Sequence, residues 1–147
     1  MQSTNARYQE LLASTHRMQT QLYIDNVVYG EEKIMEGSLQ TKNSLFQGDI
    51  PTVGGAVAGE ISVQLLGVAS SGVARMAELR PQVRLVGDSG EPSDWIAQGV
   101  YNVDSRSYNK QTGVLTLHGY DKMLATEQWY TGSVPSGGAV GIDIANR

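Results

Sequence analysis

Short runs that alternate between apolar and polar residues recur along this chain, each cut by a turn rich in Gly, Asn or Asp. A period of two sends successive side chains to opposite faces, so such runs fold as strands with one face buried. The clearest is Glu60–Leu66: Ile61, Val63 and Leu65 share one face, Ser62 and Gln64 the other. In Val114–Gly119, Val114, Thr116 and His118 alternate against Leu115 and Leu117. Leu22–Ile24 and Val27–Tyr29 flank Asp25-Asn26, a pair that tolerates the left-handed backbone of a two-residue hairpin turn. Further strands are predicted over Ile34–Thr41, Gln82–Val86 and Trp95–Arg106, the last bent at Gly99. A polar loop over 87–94 and a turn over Asn109–Gly113 join them.

Helical spacing occurs at the two ends of this β-rich region. Tyr8, Leu11, Leu12, Thr15 and Met18 form one stripe, with Ser3 or Thr4 as the cap, and predict an N-terminal helix over residues 1–19. Asp121 is placed to cap a second helix over Lys122–Tyr130, packed through Met123, Leu124 and Trp129. Val73–Leu79 has room for a single helical turn after the flexible link Ala69–Gly72. Ser44–Gly59 has too many glycines and too little alternation for a regular strand, and reads as a loop. The fold class is therefore mainly β (α+β): a small antiparallel, barrel-like domain over residues 20–130, with a helix before it and a helix after its last strand. Residues 131–147 read as a Gly/Ser-rich linker and the start of a further element, so the gene product is expected to be longer.

Composition narrows the function classes. A length of 147 residues is one domain's worth of chain. Eleven basic against fifteen acidic residues give a net charge of −4, which does not suit neutralising nucleic-acid phosphates. There is no cysteine, which excludes disulfide scaffolds, thiolate zinc sites and cysteine nucleophiles. No apolar run reaches membrane-spanning length, and Met1–Gln21 lacks the apolar core of a secretory signal. The expectation is a soluble protein made inside the cell, with no membrane insertion.

Motifs for chemistry are sparse. Gly48, Gly54, Gly55 and Gly59 invite a phosphate-loop reading, but the chain continues into a strand and no Lys follows, so turns explain them better. His118, Asp121 and a serine can be drawn as a triad, yet there is no nucleophile elbow. His16 is expected on the polar side of the first helix. Asp88, Glu91 and Asp94 could supply oxygen ligands to calcium, but without an EF-hand spacing a solvated turn is the better reading. No catalytic, cofactor or metal residue is assigned. The residues singled out are candidates for a protein interface: Tyr8 and Leu12 on the helix, Phe46 and Val53 in the Gly-rich loop, and the aromatics Trp95 and Tyr130 at element edges.

Four segments carry more information together than apart: SLFQGDIPTVGGAVAGEISVQL, ARMAELRPQVRL, SDWIAQGVYNVDSR and GVLTLHGYDKMLATEQWY. Their order and spacing resemble the N-terminal domain of tail-hub proteins from tailed phages, prophages, phage-tail-like bacteriocins and contractile injection particles. The matching residues include Gly55, Ala56, Ala58, Glu60, Ile61 and Val63; Met76, Ala77, Pro81 and Arg84; Trp95, Gly99, Tyr101, Val103 and Asp104; and Tyr120, Asp121, Met123 and Leu124. The pattern departs at Ala69–Gly72. The resemblance implies a non-enzymatic virion protein, made in a bacterial cytoplasm and built into the tail. It would form a distal hub ring, commonly a trimer, joining the tail tube to baseplate, spike or fibre proteins. The same reading leaves two alternatives: a carbohydrate- or oligonucleotide-binding small barrel, or the leading part of a tail-associated peptidoglycan hydrolase whose catalytic domain lies downstream.

Overall fold

The structure is a computed structural model and describes residues 5–43, 57–88 and 90–123. One mainly antiparallel sheet dominates it, preceded by one short helix. Helix α1 (Ala6–Leu12) leads into β1 (His16–Ile24), β2 (Val27–Tyr29), β3 (Gln40–Lys42) and β4 (Glu60–Leu66). A single 3-10 turn, Ser70–Gly72, precedes β5 (Glu78–Gly87), β6 (Ile96–Ala97), β7 (Tyr101–Asn109) and β8 (Val114–Asp121). The spatial order is β2-β1-β5-β7-β8-β4-β3, with β6 beside β5. Among the described residues the sheet is not closed: no hydrogen-bonded ladder joins β2 to β3, so the barrel-like domain predicted from the sequence is an open sheet.

The strands that alternate most cleanly form as predicted, because each has one face to bury. Ile61, Val63 and Leu65 of β4 and Leu115 and Leu117 of β8 are all fully buried, and β4 pairs with β8 along its whole length. Leu22 and Ile24 of β1, Leu79 of β5, and Tyr101 and Val103 of β7 complete the same core. Each such Leu or Ile contributes about 2 kcal/mol through removal from water. The Asp25-Asn26 turn is a two-residue hairpin closing Ile24 against Val27, with Asp25 at φ 52. The Asp25 carboxylate accepts from the Glu78 amide at 2.9 Å, which ties the turn to β5.

Four predicted elements are corrected. The helix does not run to residue 19. Asn5 caps it by accepting from the Tyr8 amide at 2.8 Å, and β1 begins at His16. His16 and Met18 are therefore strand residues, held by a continuous ladder from His16–Gly87 to Ile24–Leu79. The helical turn predicted at Val73–Leu79 falls earlier, at Ser70–Gly72; Val73 and Ala77 instead plug the core and β5 already starts at Glu78. Ile34–Thr41 is not a continuous strand. Ile34 makes one bridge to Leu65, Gly37 turns the chain at φ 71, and Ser38 exchanges hydrogen bonds with Gln64 before β3 resumes the pairing.

The long strand over Trp95–Arg106 is broken rather than bent. β6 and β7 both pair with β5, but one extra residue lies between the two registers. The break faces Pro81, which has no N–H to donate, and Gly99 absorbs it at φ 135. Past β8 the chain is described only to Met123, whose amide donates to Asp121 Oδ1 at 2.9 Å. The rest of Lys122–Tyr130, the Ser44–Ala56 part of the Gly-rich loop, the predicted caps Ser3 and Thr4, and the 131–147 region lie outside the described residues.

Candidate functional site

Segments distant in sequence meet at one end of the sheet. Glu60 of β4 stands opposite Tyr120 of β8, and Tyr120 opposite Asn102 of β7; Lys42 of β3 extends this row beyond Glu60. The Asp121 amide donates to Gly59 O at 2.9 Å and so locks the entry of β4 to the exit of β8. Gly59 has no room for a side chain, since a Cβ there would stand 2.5 Å from Asn43 Oδ1 and 2.9 Å from Asp121 Oδ2. Tyr101 is buried beside them. Its hydroxyl donates to Gln98 O at 3.3 Å and lies 3.5 Å from Asn43 Oδ1. Burial pushes the Tyr101 phenol above its ordinary value; the hydrogen bond to Asn43 opposes this, and the nearby negative charge of Asp121 adds to it. The result is a polar seam of uncharged and acidic oxygens, closed by hydrogen bonds, with a shallow groove outside it between Gly99 and Lys122.

Among the described residues, the catalytic constellation drawn from sequence is not assembled. His118 lies on the outer face of β8 and meets Tyr120 edge-on, with ring centroids 5.0 Å apart. Asp121, three residues on, is turned to the other face and serves the Met123 amide. His16 Nδ1 lies 2.8 Å from Ser14 O. Among the described residues, no three acidic or His side chains converge on a point that could hold a metal ion. Asp94 of the acidic loop instead accepts from Asn5 Nδ2 at 2.6 Å. No described helix is long and apolar enough to cross a membrane.

Of the interface candidates, Tyr8, Leu12 and Trp95 can be placed; Phe46, Val53 and Tyr130 lie outside the described residues. Leu12 is 55% exposed at the end of α1, whereas Tyr8 is half-buried. The helix packs against β5, with Leu11 and Leu85 buried there, and the Asn5–Asp94 bond fixes the helix start to the loop just before Trp95. Tyr8, Leu12 and Trp95 thus belong to one end of the molecule. Trp95 is not a bare anchor: the Arg84 guanidinium sits 4.3 Å over its ring and donates through Nε to Gln19 Oε1 at 2.8 Å. Sequence reasoning missed this cation–aromatic stack. Counting outward from the 87–94 loop sets Val86 opposite Trp95; the observed pairing of Val83 with Ile96 shifts the register by two and places Arg84 there instead.

The chain matches no protein-family model and no curated protein.

Proposed function

We propose that this protein is a structural component of a phage or phage-like tail, forming a distal hub ring, trimeric in its simplest form, that joins the tail tube to baseplate, spike or fibre proteins. One observation carries the reading. Three of the four motif-bearing segments behind the resemblance lie far apart in sequence, yet they interlock at one end of one sheet. There Gly59 and Glu60, Gly99 and Tyr101, and Tyr120 and Asp121 hold each other through backbone bonds and close approach. Residues that keep a scaffold in shape suit a part whose work is contact. The modest net charge of −4 suits large contacts between copies.

In this role the chain performs no reaction, and its place is the tail of the particle. Size-exclusion chromatography with light scattering, followed by electron microscopy, tests the proposal. The expected result is a closed ring with a central channel that binds a tail-tube protein. A species that never exceeds a monomer, and whose elution shifts with an oligosaccharide or oligonucleotide, would replace the hub with a binding module.

A further inference from the structure

The first half of β1 borders an apolar groove. In a two-residue hairpin the residues next to the turn bond each other, so the N–H and C=O of Ile24 point towards β2. By alternation, so do those of Leu22, Thr20, Met18 and His16. β2 reaches only as far as Leu22, so among the described residues the backbone groups of His16, Met18 and Thr20 have no strand beside them. They face a groove of about 550 Å³ whose far side is residues 31–39 of the same chain. Met18, on the core side of β1, is 58% exposed there, beside Ile34 and Leu39.

These groups require one more strand. It must carry apolar side chains at every second position, to cover Met18 and Ile34, with small or polar ones between them. Of the chain outside the described residues, one stretch has that pattern. Residues 44–56 are interrupted by Gly48, Pro51, Gly54 and Gly55, and residues 131–138 by Gly132, Pro135, Gly137 and Gly138. Residues 124–130 place Thr126, Glu127 and Gln128 in succession. Residues 140–144 alternate: Val140, Ile142 and Ile144 share one face, Gly141 and Asp143 the other.

We infer that residues 140–144 of this chain fill the groove as an added strand, antiparallel to β1. The course of the chain sets the direction. Asp121 lies level with Ile24 through the β7 and β5 ladders, so a chain leaving β8 enters the groove at Thr20 and runs towards His16. The path crosses about four strand spacings and about four residues of β1, roughly 25 Å in all. The stretch from Met123 to Val140 can extend over ~50 Å. The bare groups then fix the register: Val140 opposite Thr20, Ile142 opposite Met18 and Ile144 opposite His16. Shifting by two residues one way would set Val140 against Leu22, which is already paired with Tyr29; shifting the other way would carry Ile144 past the start of β1. The same register places Asp143 directly opposite Arg17 on the outer face. Arg17 is two-thirds exposed and lies 3.6 Å from Glu31, so its guanidinium keeps donors for a second carboxylate.

The inference does not rest on the hub reading. A chain without cysteine makes the test direct. Residues bonded directly across an antiparallel ladder stand about 5.5 Å apart at Cα, within disulfide range; diagonal neighbours stand about 7–8 Å apart, beyond it. Under mild oxidation Met18→Cys combined with Ile142→Cys should close a disulfide within one chain, which runs as a monomer on a non-reducing gel and gives one cross-linked peptide by mass spectrometry. Met18→Cys combined with Ile144→Cys should give at least ~10-fold less. Hydrogen exchange reads the chain without cysteines: Ile142→Pro removes the N–H aimed at Met18, so the Met18 and Thr20 amides should exchange at least ~10-fold faster in that variant, while the Val63 amide in the core ladder keeps its rate. The inference is overturned if the two double variants cross-link alike, if the bridge between positions 18 and 142 joins two chains, or if Met18 and Thr20 exchange as fast in the unsubstituted protein as in Ile142→Pro.

Discussion

Gly119→Ala should be among the most damaging single-methyl changes in this protein. Gly119 lies in the middle of β8, on its buried face, beside the register shift between Val103 and Ser105 of β7. A Cβ built on it would stand 2.5 Å from the carbonyl oxygen of Asn102, 3.1 Å from the carbon of the same carbonyl and 3.3 Å from Ile61 Cγ2. The first two are backbone atoms of a paired strand and cannot swing aside as a side chain would. Relief requires β7 to move by several tenths of an ångström, and that displaces the ladder on both sides. Overpacking of this kind costs about 1–3 kcal/mol, and the backbone obstacle places this case near 3. For a domain of this length that is ~6–12 °C in Tm. The sign is informative, because Ala for Gly in a strand ordinarily helps by about 0.5–1 kcal/mol. Gly72→Ala is the control: nothing lies within 4 Å of its Cβ position, and its Tm should shift by no more than about 1–2 °C. Thermal melts of the three proteins by circular dichroism decide the matter. A Gly119→Ala protein that melts with the control would show that the close approach of β7 and β8 is not a packing constraint.

Two further perturbations probe the ends of the sheet. Asn5→Ala removes the cap on the Tyr8 amide together with the bond to Asp94, and should cost about 1–2 kcal/mol in urea denaturation; Asn5→Ser, which keeps a capping oxygen, should recover part of the loss. Tyr101→Phe should change the alkaline limb of stability. The folded phenol titrates above its unfolded value of about 10, so its contribution is complete below pH ~10 and fades as pH rises through the folded value. Urea unfolding at about pH 9 and pH 11 should therefore show a steeper loss for the unsubstituted protein than for Tyr101→Phe, and parallel losses would refute the assignment.

Strands were legible where burial imposed a pattern. Ile61, Val63 and Leu65, and likewise Leu115 and Leu117, alternate because one face of β4 and β8 meets the core. The first half of β1 has no such pattern: His16, Arg17 and Met18 are all exposed, whichever face they lie on. Its strand state comes from hydrogen bonds to β5, which leave no mark on side-chain order. The spacing of Tyr8, Leu11, Leu12, Thr15 and Met18 therefore matched a helix across a boundary between two elements. The break at Gln98–Val100 was hidden for a related reason. Pro81 and Gly99 act together only once β5 and β6 are known to be neighbours. Trp95 was legible as an edge aromatic, and its cover, Arg84, was not, because that contact also depends on the pairing.

The order of strands has a consequence for how the protein reaches its native state. β1–β2 and β7–β8 are hairpins that close locally, but the central seam joins Ile24 to Leu79 and His16 to Gly87. The chain must close a large loop before this seam earns any stabilisation, and such high contact order slows the search for the native pairing. While that search lasts, the strand destined for the centre of the sheet is open along both sides, so dilution and low temperature should favour recovery of native protein over aggregation during refolding.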